Sequence, residues 1–151
     1  MKVQLLKCMA CGKEFPDAPD RYVCDVCGID GILDVVYDYR SITISREEIA
    51  ASKNYSLWRY RKMLPVADST QIAPLQVGWT PLYRASTVEK QLGLNNVYIK
   101  DDGRNPTASL KDRASAVGIA KAREAGATTI CAASTGNAAS SLAGFAASAG
   151  L

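Results

Sequence analysis

The 151-residue sequence predicts an α/β fold: a parallel sheet covered by helices, preceded by a small cysteine-organised β segment. Three observations carry this reading. A short β-type stretch at 96–100, a helical pattern at 110–125, an apolar run at 128–133 and an alanine-rich helical stretch after it alternate strand, helix, strand, helix. That order implies a right-handed crossover, hence parallel strands with helices packed on the sheet. Two CxxC pairs stand near the N-terminus, and 48% hydrophobic with 22% charged residues is ordinary globular composition.

Composition also excludes. A net charge of +3 with scattered basic residues is too mild to imply nucleic acid. No apolar run approaches the roughly 20 residues that span a bilayer, and residues 1–7 lack the apolar core of a signal peptide, so the expected setting is cytoplasmic with no membrane partner. With no histidine, Ser-His-Asp and Cys-His chemistry is absent from the chain; lysine, carboxylate, tyrosine, cysteine or a cofactor must do any acid and base work.

Taken in order, Cys8-Met9-Ala10-Cys11 and Cys24-Asp25-Val26-Cys27 are each followed by a glycine, Gly12 and Gly28. Such knuckles present four thiolates to a tetrahedral Zn²⁺, a closed and therefore structural site, in a zinc-ribbon-like segment. Two disulfides are the alternative, disfavoured by a reducing compartment, and ribbons of this kind also bind nucleic acid or proteins. Residues 31–39 read as a strand leaving the ribbon. Ser45 with Glu48, and Ser56, start short helices, the second running over 57–64 before Pro65; Trp58 and Tyr60 read as packing residues. Residues 70–80, with Pro74 and Gly78, resemble a linker. Ser86 with Glu89 forms another capping-box pattern, for a helix stopped by Gly93. Residues 101–104 form a polar turn, a solvated loop in which Arg104 or Lys100 is available to a substrate phosphate.

Asn105-Pro106-Thr107-Ala108-Ser109-Leu110-Lys111-Asp112-Arg113 follows. Ser109 and Asp112 read as a capping box starting a helix at Leu110, with Leu110, Ala114, Val117 and Ala120 on one face and Gly126 as the stop. Lys111 is then in the first turn, where the helix dipole disfavours an ammonium. A lysine that gives up its proton condenses with carbonyls; the alternative is a surface lysine balanced by Asp112. Ser134-Thr135-Gly136-Asn137-Ala138 lies between the apolar run and the next helix, where free N–H groups and hydroxyls suit a carboxylate or simply cap the helix. Lys111 and Asn137 are expected at the carboxyl edge of parallel strands, the binding edge of open α/β sheets.

Together these two stretches resemble the fold-type II pyridoxal phosphate (PLP) enzymes, the tryptophan synthase β superfamily. Within it, the cysteine-rich segment, Ser56-Leu57-Trp58-Arg59-Tyr60-Arg61 and Val77-Gly78-Trp79-Thr80-Pro81-Leu82 make the chain most similar to the threonine synthase family. Leu110 departs from the family's usual phenylalanine, a change of packing and not of chemistry. The resemblance implies a three-layer catalytic body and PLP on Lys111, with Asn137 at its phenolic oxygen. It also implies that Ser134, Thr135 and Gly136 hold the substrate carboxylate and that Asp112 and Arg113 act in support. The implied reaction turns O-phospho-L-homoserine and water into L-threonine and phosphate, in a homo-oligomer acting on a small phosphorylated amino acid. A cysteate synthase, a serine/threonine dehydratase and, from another class, a zinc-ribbon binding module are the competing readings. The expected organisation is a ribbon at 1–40, a helical lead-in at 41–80 and the first part of the catalytic body at 81–151. Because Gly150-Leu151 falls where a strand is due and no glycine-rich phosphate loop occurs, the chain is expected to be an N-terminal piece, inactive alone.

Overall fold

Four short strands build the cysteine-rich segment. Val3–Cys8 (β1), Glu14–Phe15 (β2), Val23–Cys24 (β3) and Gly28–Tyr37 (β4) form an antiparallel sheet ordered β2-β1-β4-β3. The structure, a computed structural model, describes residues 3–18 and 20–151; Met1, Lys2 and Pro19, within the segment expected at 1–40, lie outside the described residues. Leu6 and Cys8 turn inward to meet Phe15 and Cys24, giving the sheet a core of its own. The strand expected at 31–39 does not leave the ribbon. It begins at Gly28 and is central to the sheet, with Leu6 opposite Val35 on one side and Val23 opposite Ile32 on the other. A β-branched strand has two edges to satisfy, and β1 supplies the partner that the cysteine spacing alone does not reveal.

In the lead-in, helix α1 (Arg46–Ala51) starts where the Ser45 Oγ accepts the Glu48 N–H at 3.1 Å. Ser56 Oγ likewise accepts the Trp58 N–H at 3.2 Å, but the turn it opens, Leu57–Met63, is a 3₁₀ helix kinked at Tyr60. Trp58 is buried, and so are Val66, Ala73 and Val77, which share one core with Ile119, Ala120 and Phe145. The stretch that reads as a linker is therefore packed along much of its length. Gly78 shows why it turns where it does: its φ of +86° suits glycine, and a Cβ there would stand 3.0 Å from the Leu57 nitrogen.

Leu82–Arg84 (β5) pairs antiparallel with Tyr98–Lys100 (β6), and helix α2 (Ser86–Leu92) lies between them in sequence, ending on Gly93 in the left-handed region. The Ser86–Glu89 capping box does not form. Glu89 is buried and accepts instead from Arg84 Nε at 3.1 Å and from the Val97 N–H at 2.9 Å. The Arg84 guanidinium holds its carboxyl below the usual range, a stronger attraction than a lone N–H at a cap offers.

Helices α3 (Lys111–Glu124) and α4 (Asn137–Ser148) pack together over the main core. α3 stops as expected: Gly126 donates to the Arg123 carbonyl and Ala127 to the Ala122 carbonyl, the paired bonds of a glycine-ended helix. The expected parallel sheet is not seen among the described residues. Both sheets among the described residues are antiparallel, and residues 127–134 are irregular, with no ladder partner. A parallel ladder needs a neighbour brought from elsewhere in the chain, and β6, the strand expected to begin that sheet, pairs with β5. No helix among the described residues is long and apolar enough to cross a membrane.

Candidate functional site

The first turn of α3 is fastened to α4 by one buried carboxylate. Asp112, fully buried, accepts from the Thr107 N–H at 2.7 Å, from the Thr107 hydroxyl and from the Ser141 hydroxyl at 2.6 Å. Ser141 is itself fully buried and lies 2.7 Å from the Ser115 hydroxyl. A buried carboxylate is tolerated only when its oxygens are satisfied, and here three donors from two segments do so. Lys111 precedes Asp112, and Asn137 precedes Ser141 by four residues, about 6 Å of helix. The Asp112–Ser141 bond therefore ties the segment that carries Lys111 to the helix that begins at Asn137.

This contact also rotates α3 relative to its expected face. Asp112, Ser115, Ala116, Ile119 and Ala120 are buried, whereas Leu110 and Ala114 are exposed. Apolarity alone places Val117 and Ala120 against the core but misplaces Leu110 and Ala114, because the buried stripe is partly polar, its Asp and Ser satisfied by Thr107 and α4. The capping box is altered for the same reason. Ser109 Oγ accepts the Lys111 N–H at 3.1 Å, Leu110 is the N-cap, and Lys111 is the first residue of α3 and not the second.

A second network anchors the turn before α3. Arg113 grips Asp102 with two hydrogen bonds, Nε to Oδ2 at 2.7 Å and Nη2 to Oδ1 at 2.8 Å. The Thr80 hydroxyl adds a third at 2.6 Å, and the Asp102 carboxyl is held well below the usual carboxylate range, chiefly by Arg113. Asn105 accepts from the Gly78 N–H at 2.9 Å and donates to the Asp102 carbonyl at 2.8 Å. Ala108, just ahead of the lysine, has φ +55°, a conformation alanine rarely adopts. Two clamps thus hold a strained turn against which Lys111 is displayed.

All five residues singled out for cofactor and substrate, Lys111, Ser134, Thr135, Gly136 and Asn137, are exposed. Among the described residues nothing pairs with the Lys111 ammonium. Ser134 Oγ accepts the Gly136 N–H at 3.3 Å, closing its own turn, and α4 begins without a side-chain cap. Thr80, Asp102, Thr107, Ser115 and Ser141 were not singled out from sequence. Two adjacent serines, Ser140-Ser141, in an alanine-rich helix are the one available signal for them.

The four ribbon cysteines converge, each Sγ within 4.8 Å of the others. A tetrahedral zinc with Zn–S near 2.3 Å has S···S edges of about 3.8 Å, and Cys11 and Cys24 stand 3.7 Å apart. The Cys11 N–H points to Cys8 Sγ at 3.5 Å and the Val26 N–H to Cys24 Sγ at 3.4 Å. Cys8 is lowered to about 7, mainly by the Cys11 N–H, while contact with Cys11 pushes Cys27 up to about 12. Four thiols this close cannot all ionise without a cation among them. Gly31, also not singled out from sequence, leaves room for the cluster: a Cβ there would lie 2.5 Å from the Cys24 Cβ.

The chain is 42% identical over 146 residues to the threonine synthase of Methanosarcina acetivorans, covering 97% of this chain and 35% of that protein. It is 41% identical over 148 residues to the threonine synthase of Methanocaldococcus jannaschii, covering 97% and 36%. A third relative, the threonine synthase of a Synechocystis species, is 46% identical over 93 residues, 61% of this chain and 24% of that protein. The chain therefore spans about a third of the length of the first two relatives. Residues 73–151, just over half of the chain and including both helix N-termini described above, match the pyridoxal-phosphate dependent enzymes, and the chain belongs to that family.

Proposed function

We propose that the whole protein is a threonine synthase, converting O-phospho-L-homoserine and water to L-threonine and phosphate, and that this chain contributes its lysine. The observation that carries this reading is the Asp112 carboxylate bonded to both Thr107 and Ser141, which ties the lysine segment to the helix that follows the Asn137 turn. The alignment with two threonine synthases over 97% of the chain supports the choice within the family.

The residues present fit PLP chemically. Lys111 offers an exposed primary amine, and the first-turn N–H groups of α3 and α4, which lack intrahelical partners, suit an anionic ligand. Lys111 would hold the cofactor through its aldehyde carbon, and Asn137 would donate to its phenolic oxygen. PLP supplies an electron sink for a substrate that has lost its α proton. The Lys111 amine, once free, is the base that takes that proton and returns protons to neighbouring carbons. Ser134, Thr135 and the N–H groups around Gly136 hold the substrate carboxylate. Asp112 and Arg113 are positioning residues. The four cysteines hold a structural zinc, since four thiolates leave no coordination position open. In this reading 1–40 is the ribbon, 41–80 the lead-in and 81–151 the first part of the catalytic body, where a parallel sheet is completed by further chain.

The test is phosphate release by the whole protein from O-phospho-L-homoserine and from O-phospho-L-serine, with the amino-acid product identified. Threonine formed from the first substrate is expected. Turnover of phosphoserine alone would move the assignment to a cysteate synthase, and turnover of neither would overturn it.

A further inference from the structure

We propose that the cavity between the ribbon and α3 is a binding site for a small aliphatic carboxylate. The cavity measures about 340 Å³, a size suited to a small molecule. Leu6 and Val35 of the ribbon form one wall, Pro65 and Ala122 another, and Gly118 of α3 leaves open space. These walls favour an apolar tail. Neither Lys111 nor Asn137 lines the cavity, so the proposal stands apart from the catalytic reading.

The chemistry of the head group comes from Arg21. Its guanidinium stacks on the Phe15 ring at 4.4 Å, and its Nε is buried without a hydrogen-bond partner. Among the described residues it makes no ion pair, the carboxylate its charge reaches, Asp25, being paired with Lys13 at 2.8 Å; Lys121, which also lines the cavity, is paired with Glu124 at 2.8 Å. A planar guanidinium with unused donors, set in an apolar wall, matches a carboxylate, which accepts two parallel N–H bonds. Asp17, the carboxylate in the lining, is exposed, where water and salt screen its charge. An amine would meet Arg21 as a like charge, and an uncharged ligand would leave it unsatisfied.

The experiment is calorimetric titration of the whole protein with butyrate, pentanoate and hexanoate, and with hexan-1-ol for comparison. Hexanoate is expected to bind, with affinity rising about fourfold per added methylene. Arg21→Gln should weaken hexanoate about tenfold or more while leaving hexan-1-ol unchanged. Gly118→Leu should fill the cavity and abolish binding of both, with an unfolding midpoint at least that of the parent, because leucine favours helix over glycine. Absence of hexanoate binding to the parent, an Arg21→Gln variant that binds hexanoate as the parent does, or binding that survives Gly118→Leu would each overturn the proposal.

Discussion

The ribbon and the lysine turn are held by opposite means. In the ribbon, the reactive groups themselves converge: four thiols lie within 4.8 Å of one another, Cys8 and Cys24 buried in a small core with Leu6 and Phe15, and most of their supports lie within the same 35 residues. At the lysine turn the reactive group is left free, and its neighbours are tied down. Asp112 binds Thr107 and Ser141, Arg113 binds Asp102, and Lys111 between them and the solvent has no partner among the described residues. A structural metal site needs its ligands mutually close; a site that takes a cofactor and releases a product needs its amine open, with the rigidity one step away.

That contrast predicts a double dissociation. The largest effect is expected from Cys24→Ser, which removes a fully buried thiol from the cluster. Structural zinc can contribute on the order of 10 kcal/mol to a small domain, so bound zinc and hydrogen-exchange protection across β1–β4 should be lost while α3 and α4 stay protected. Asp112→Ala should do the reverse: about 3 kcal/mol of stability lost, faster exchange in the first turns of α3 and α4, and zinc content unchanged. If Asp112→Ala also released zinc, the two regions would not be independent.

A smaller effect sharpens the second clamp. Arg113 lowers the Asp102 carboxyl in the folded chain, so the ion pair contributes fully above the unfolded value near 4. Its contribution fades as pH falls through the lower, folded value. Asp102→Asn should therefore cost about 1 kcal/mol at neutral pH and flatten the acid limb of a stability-against-pH curve measured by denaturant unfolding. An acid limb as steep as the parent's would mean that another carboxylate dominates it.

Much of the local structure was legible in the chain because it depends on near neighbours. The CxxC spacing foretold the thiol cluster, Ser45 and Ser56 bind the N–H groups of the turns they open, and Gly93 and Gly126 end their helices. What escaped depends on distant partners. The strand expected at 128–133 has no neighbour among the described residues. Glu89 and Asp112, read as capping residues, instead meet Arg84, Thr107 and Ser141. Ala73 and Val77 look like linker until Ile119 and Phe145 are packed on them. The candidate site was legible as residue types, Lys111 and the Ser134–Asn137 turn; the buried Asp–Ser bond that ties the lysine segment to α4 was not.

The central claim is that Lys111 is the residue that carries the cofactor. The most direct measurement is borohydride reduction of the whole protein with PLP bound, followed by peptide mapping. The account predicts a pyridoxyl adduct on the peptide containing Lys111 and none in Lys111→Ala. An adduct on any other lysine, or one that persists in Lys111→Ala, would contradict it.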